Sequence, residues 1–203
     1  DPAGEAPLTA LWTELTGQTA DFSAEVQQAR RQLIAINLAG EFEAAARALH
    51  ALARTDLRTR DFSLGAIRRV FTELLVHFPV YRTYADAGGR RAADAEVMRQ
   101  AVAGAMERVR SGEQPLLELI DRGRGGEAPR ALNSAPARRA RLRAVARFQQ
   151  LTAPIAAKGV EDTAFYRHGL LLSRNEVGAD PGQFSLPVAE FHRIAGERRQ
   201  RYP

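Results

Sequence analysis

The residues with most chemical potential stand together in one stretch, Lys158-Gly159-Val160-Glu161-Asp162-Thr163-Ala164-Phe165-Tyr166-Arg167. It brings a cation, two acids, a hydroxyl, two aromatics and an arginine into consecutive order. Lys158 is the sole lysine among 29 basic residues, so every other basic position is arginine. An ammonium is a compact point charge on a flexible stem, whereas a guanidinium is a planar fork. Lys158 is therefore the position where a mobile cation could serve a purpose that arginine does not. Glu161 and Asp162 are neighbours and project about 100° apart on a helix, which does not make a ready acid–base pair. They read equally as structural acids pairing with Arg167 or another arginine, or as groups that bind a ligand. Phe165 and Tyr166 suit either a core or an exposed platform, since aromatic rings offer apolar faces and tyrosine adds a polar tip.

Other chemistries find no support. The chain has no cysteine, which excludes a disulfide framework and a thiolate metal site. His50, His77, His168 and His192 are far apart and form no HExxH-type pair, so neither a metal nor another cofactor is expected. The net charge of +5 permits nucleic-acid binding, but acids are interspersed along most segments, which favours solvated faces. No signal peptide or apolar run of membrane length appears, which leads to the expectation of a soluble, cytoplasmic protein without a membrane partner.

The elements that must position the stretch are mostly helical. At 203 residues the chain can bury a proper core. Pro7, Leu8, Leu11, Trp12 and Leu15 predict a short helix closed by Gly17. A stripe from Val26 to Leu52 predicts a long helix, capped by Asp21 or Ser23 and bent or split at Gly40. Ser63 caps the best-specified helix, 64–78, with Phe62 and Ile67 at the staple positions and a wide apolar face of Leu64, Ile67, Val70, Phe71, Leu74, Leu75 and Phe78. Pro79 stops it. Val80-Tyr81-Arg82-Thr83-Tyr84 then alternates in type and predicts the chain's one strand. Gly88-Gly89 marks a loop. Further helices are expected over 91–110, over 116–122, over 137–157 with a kink at Pro154, and over 187–199. Residues 123–136 read as a loop, and 175–184 as turn chemistry.

Particular strings go beyond periodicity. Pro79-Val80-Tyr81-Arg82-Thr83-Tyr84, Arg147-Phe148-Gln149-Gln150, the Lys158–Arg167 stretch and Asn175-Glu176-Val177-Gly178-Ala179-Asp180-Pro181 together resemble the maltooligosyltrehalose synthase family, (1→4)-α-D-glucan 1-α-D-glucosylmutases of the α-amylase superfamily. The Asp1-Pro2 opening and the Phe191-His192 helix fit the same resemblance. His168 and Ala179 depart from it, standing where the family tends to have tyrosine and glycine. The resemblance implies a (β/α)8 catalytic barrel with large helical insertions. It also implies isomerisation of the reducing-end α-1,4 bond of a maltooligosaccharide to an α,α-1,1 bond. In such chemistry one carboxylate is the nucleophile, a second the acid/base, and a third steadies the transition state. The family's first two carboxylates lie on strands earlier in the enzyme, and its third lies in a later His-Asp-Thr-Lys-Arg motif. None of these motifs occurs here.

The expectation is therefore a mainly α segment of a larger enzyme, a helical insertion excised from a barrel. Residues 1–136 would form the insertion with a barrel strand near 80–84. Residues 137–203 would hold the helix, the active-site-wall motif, a turn-rich loop and a closing helix. The opening without methionine and the abrupt ending at Tyr202-Pro203 read the same way. No catalytic residue is expected in the chain. Lys158, Glu161, Asp162, Phe165, Tyr166, Arg167 and Arg82 are the candidate substrate-binding residues, Arg82 because its fork can orient a carboxylate. The expected partners are a maltooligosaccharide and the remainder of the catalytic barrel. Two other readings stand beside this one: an arginine-rich helical nucleic-acid module, and a helical interaction module held by exposed apolar faces.

Overall fold

The computed structural model describes residues 2–202 apart from 56, 58, 127 and 133. It is mainly helical, as expected. The chain divides into a larger unit, Val26–Val160, and a smaller one made of Asp1–Glu25 and Glu161–Pro203. The boundary expected at 136/137 falls inside the larger unit. The reason is packing: helix α7 (Ala135–Ala156) lies along α3 (Ala39–Ala53) more extensively than any other pair of elements meets.

In the larger unit, α4 (Leu64–Val76) is central. The Ser63 hydroxyl accepts a hydrogen bond from the Ala66 N–H at 3.2 Å, supplying one of the donors that a helix start leaves unpaired. Ile67, Val70, Phe71, Leu74 and Leu75 are all buried on its apolar face. Around them runs a set of rings. Phe42 and Phe71 stack at 5.3 Å, Phe71 meets Phe148 at 6.4 Å, and Phe78 meets Phe148 edge-on at 5.0 Å. The long helix expected from Val26 is two, α2 (Phe22–Ala35) and α3. Asp21 caps α2 by accepting from the Ala24 N–H at 3.1 Å. The break comes at residues 36–38, ahead of Gly40, where buried Leu38 donates its N–H to the Leu33 carbonyl at 2.9 Å.

Residues 80–84 are not a strand. Among the described residues the sole ladder contact nearby is an isolated bridge between Asp86 and Gly89. Val80 and Tyr81 are bends, and at the end of the segment the backbone bonds to side chains. The buried Gln149 amide accepts from the Ala85 N–H at 2.7 Å and donates to the Ala85 carbonyl at 3.2 Å, taking both roles of a neighbouring strand. Asp94, also buried, accepts from the Tyr84 N–H at 3.1 Å. Alternating residue types describe a half-buried extended chain, and what pairs with it lies outside that pattern.

Helix α5 (Ala92–Met106) and α6 (Gln114–Asp121) complete the bundle. Part of the loop expected over 123–136 is instead a π-helical turn, Arg122–Gly126, and a 3-10 turn, Pro129–Ala131; positions 127 and 133 of that loop lie outside the described residues. In the smaller unit, α1 (Glu5–Thr16) ends on Gly17 at φ 66°, a left-handed conformation that glycine adopts without a Cβ penalty. Trp12 is packed so closely on Gly169 that a Cβ there would lie 2.7 Å from its ring.

Candidate functional site

Pro154 lies inside α7, where its ring crowds the carbonyl four residues back and it has no N–H to donate. The helix does not stop. It is re-registered as a π-helical segment, Ala157–Ala164, and then resumes as one α-helical turn, α8 (Phe165–Arg167). Such π-helical turns recur at functional sites because they swing side chains off the α-helical rows. The Lys158–Arg167 stretch is thus helical throughout, but on two different pitches. An assumed α-helix does not give the directions of its side chains.

In the smaller unit this separates the two aromatics. Phe165 is 7% exposed and stacks on Phe22 at 5.9 Å, whereas Tyr166 is 85% exposed. Glu161, Asp162, Phe165 and Tyr166 share a cleft of about 430 Å3 with Leu172, Asn175, Glu176 and Val177. Asn175 fixes its far wall. The Nδ2 group donates to the Phe165 carbonyl at 2.7 Å and to the His168 carbonyl at 2.5 Å, satisfying carbonyls at the end of α8. Arg174 holds the following turn through the Phe184 and Asp180 carbonyls, both at 3.1 Å. Gly178 turns at φ 86°. Arg167 pairs with Glu25 at 3.4 Å. The cleft thus combines an open aromatic face, two exposed apolar side chains (Leu172 and Val177) and three carboxylates. Apolar faces with hydrogen-bond acceptors beside them suit a neutral polyhydroxylated ligand. Leu172, Asn175, Glu176 and Val177 lie outside the candidate residues. The Asn175–Pro181 string is the signal for the last three, returning the chain to the helix end only eight residues later, and Leu172 carries none.

His168 is buried at the base of this unit, with the Phe22 ring edge-on at 5.3 Å. Burial pushes its pKa below the ordinary imidazole value, while the charges of Glu25 and Asp21 oppose the shift without cancelling it. Because the folded form resists the proton, the full contribution is present above about pH 6.5, the ordinary value. It declines as pH falls from there towards the folded pKa, since the unfolded chain takes up the proton first. Trp12, the sole tryptophan, lies in the same unit and reports on it. Denaturant midpoints followed by Trp12 fluorescence should fall between pH 7.5 and pH 6, and this slope should flatten in His168→Phe. An equal slope in both proteins would assign the effect to other groups.

Lys158 and Arg82 lie in the larger unit. Lys158 is exposed on the first turn of the π-helical segment. The next residue, Gly159, is buried, and a Cβ there would meet Arg30 Cγ at 3.0 Å and Leu33 Cδ1 at 3.4 Å. Arg82 is exposed, with its guanidinium over the Tyr84 ring at 5.1 Å, a cation–π arrangement. The larger unit also has a groove of about 570 Å3 between α3 and α7, with an alanine floor and Arg47, Arg143 and Arg147 at its edge. Arg47 is held by Glu43 at 2.6 Å. Elsewhere arginines are drawn to acids of other elements, as in Arg31–Glu73 and Arg90–Asp121, both at 2.6 Å, and Arg68–Glu43 at 2.8 Å. Among the described residues no cluster of acids and histidines could hold a metal ion, and no helix is long and apolar enough to cross a membrane.

No family model matches the chain. It is 32% identical over 207 residues to proteins from two strains of Mycobacterium tuberculosis, each named "Putative maltooligosyl trehalose synthase". That alignment takes in 100% of this chain and 23% of each relative. Among solved structures, maltooligosyltrehalose synthase from Arthrobacter ramosus superposes with a TM-score of 0.75 at 28% identity, over 100% of this chain and 23% of that one. A point mutant of the same enzyme gives a TM-score of 0.75 at 30% identity, over 99% and 22%. The chain is therefore homologous, in sequence and in structure, to a helical part of an α-amylase-superfamily enzyme. More particularly, that enzyme is maltooligosyltrehalose synthase, and the chain spans less than a quarter of the length of the relatives it matches. Of the resemblance's supporting features, Asp1 of the Asp1-Pro2 opening lies outside the described residues.

Proposed function

We propose that this chain is a substrate-side wall and scaffold of an enzyme that isomerises the reducing-end α-1,4 bond of a maltooligosaccharide to an α,α-1,1 bond. The observation that carries the proposal is the end-to-end homology to maltooligosyltrehalose synthase, joined to the cleft in which Tyr166 stands open beside Glu161, Asp162 and Glu176. In this reading Tyr166 is the platform for a glucose ring, and the carboxylates accept hydrogen bonds from its hydroxyls. Phe165 and Arg167 act indirectly, the first by packing on Phe22 and the second by its pair with Glu25. Lys158 and Arg82, on the larger unit, are further candidates to bind the substrate. The nucleophile, the acid/base and the third carboxylate come from the remainder of a (β/α)8 barrel, which is the chain's principal partner. A cytoplasmic setting belongs to the same proposal.

The experiment is product analysis with maltopentaose. The 203-residue chain alone should convert none of it. The enzyme that contains this segment should give a non-reducing product, and Tyr166→Ala should lower its kcat/KM about tenfold, the loss of one well-placed contact of about 1.4 kcal/mol. Turnover by the chain alone would move the chemistry into it. Wild-type kcat/KM in Tyr166→Ala would remove the cleft from the substrate path.

A further inference from the structure

We propose that Arg30 is a positioning residue, one that sets the Lys158–Gly159 turn and the Pro79–Tyr84 segment against a common support and so fixes where Lys158 and Arg82 present their cations. The inference rests on the functional reading above and adds a residue that neither the motifs nor the cleft contains.

Arg30 lies on α2 and is 8% exposed. Its Nη1 group donates to the Val76 carbonyl at 2.7 Å and to the Phe78 carbonyl at 2.8 Å. Val76 is the last residue of α4, and Phe78 immediately precedes Pro79. A cation is favourable at such a helix end, where carbonyls lack intrahelical partners. The same side chain has a second neighbour. A Cβ on Gly159 would lie 3.0 Å from Arg30 Cγ and 3.7 Å from Arg30 Cα, so the turn bearing Lys158 rests on the Arg30 stem. One residue thus holds the start of the segment carrying Arg82 with its head, and the residue after Lys158 with its stem.

The charge is not needed to neutralise an acid. Among the described residues no carboxylate pairs with Arg30, and its buried Nε has no hydrogen-bond partner. Burial lowers its pKa to about 10, which leaves it a cation at neutral pH, held at a desolvation cost. An apolar residue of similar length would fill the space without that cost, so the guanidinium is explained by the two carbonyls it orders. Gly159 fits the same logic, because any larger residue would press on the Arg30 stem.

The test uses the enzyme that contains this segment, with Arg30→Met, Arg30→Lys and Gly159→Ala. Two quantities are read: amide hydrogen exchange over residues 76–85 and 157–164, and the ratio of isomerised to hydrolysed product from maltopentaose. Arg30→Met should speed exchange in both segments about tenfold and lower the product ratio about fivefold, with a smaller change in KM. Arg30→Lys keeps a cation and should recover part of the ratio. Gly159→Ala leaves the charge in place, crowds the stem, and should lower the ratio as well; if Arg30→Met does not fold, these two variants decide. Faster exchange confined to residues 76–85, with an unchanged ratio, would make Arg30 a helix cap alone and overturn the proposal. A ratio that responds to Lys158→Met but to none of these variants would overturn it while leaving the functional reading intact. A ratio that responds to no variant, Lys158→Met included, would overturn both.

Discussion

Phe71→Ala is expected to destabilise the larger unit by about 3–5 kcal/mol. The ring is 0% exposed, stacks on Phe42 and meets Phe148, so its removal deletes buried surface and leaves a void between three helices. Cavities of this kind relax only partly, because the surrounding side chains already sit in packed rotamers. Domains of this size are stable by about 5–15 kcal/mol in total, so one substitution would remove a large share. Leu75→Ala, also on the buried face of α4, should fall in the range of about 2–5 kcal/mol usual for aliphatic truncation. Far-UV circular dichroism in denaturant is the right probe, since it follows the helices of the larger unit whereas Trp12 belongs to the smaller one. A change below about 0.5 kcal/mol, the range of surface substitutions, would contradict the assignment of Phe71 to the centre of the core.

Phe71 also illustrates what periodicity makes legible. The steps Leu64, Ile67, Val70, Phe71, Leu74 and Leu75 define a helix and its buried face without reference to any partner, because burial follows the 3.6-residue turn. Ser63 and Pro79 bracket it by local chemistry alone. Alternation over Val80–Tyr84 suggests a strand that is absent, because it reports one buried side and says nothing of the hydrogen-bond partner. Here the partners are side chains, Asp94 for Tyr84 and Gln149 for the adjacent Ala85, 10 and 64 residues from the groups they bind. The π-helical segment after Pro154 was hidden for a related reason. A proline signals a kink, but whether the helix stops, bends or changes pitch is decided by packing, here by Gly159 lying on Arg30 and Leu33. The stretch Lys158–Arg167 was recognisable from residue types. The division of labour within it was not, because Phe165 and Tyr166 differ only in which way the re-registered helix turns them.

The second large effect follows from the proposed function and concerns Lys158 in the enzyme proposed to contain this segment. In that reading the isomerase must keep the released glucose bound while the sugar turns to offer its anomeric hydroxyl to the glycosyl-enzyme. Loss of that glucose, or entry of water, ends the reaction as hydrolysis. An ammonium with three donors on a flexible stem can follow a reorienting set of hydroxyls, where a guanidinium fork would favour one geometry. Lys158 is exposed at the start of the π-helical segment and is followed by a buried glycine, so its backbone is anchored at an exposed position. The competing account is a cation near the end of a long helix, favourable through the helix dipole by about 0.3–1 kcal/mol and without a role in the reaction.

Lys158→Met separates the two, since it keeps the stem and removes the charge. Hydrogen bonds to a charged group contribute about 1.5–3 kcal/mol, so their loss should lower the ratio of isomerised to hydrolysed product by about 10–100-fold. The dipole account predicts a small loss of stability and no change in that ratio. The decisive measurement is therefore the yield of trehalose-ended product relative to free glucose when the Lys158→Met enzyme is given maltopentaose. A ratio at least about tenfold below wild type, with the melting curve preserved, is the result predicted here. A wild-type ratio at wild-type turnover would contradict the claim that this chain forms part of the wall that holds the sugar.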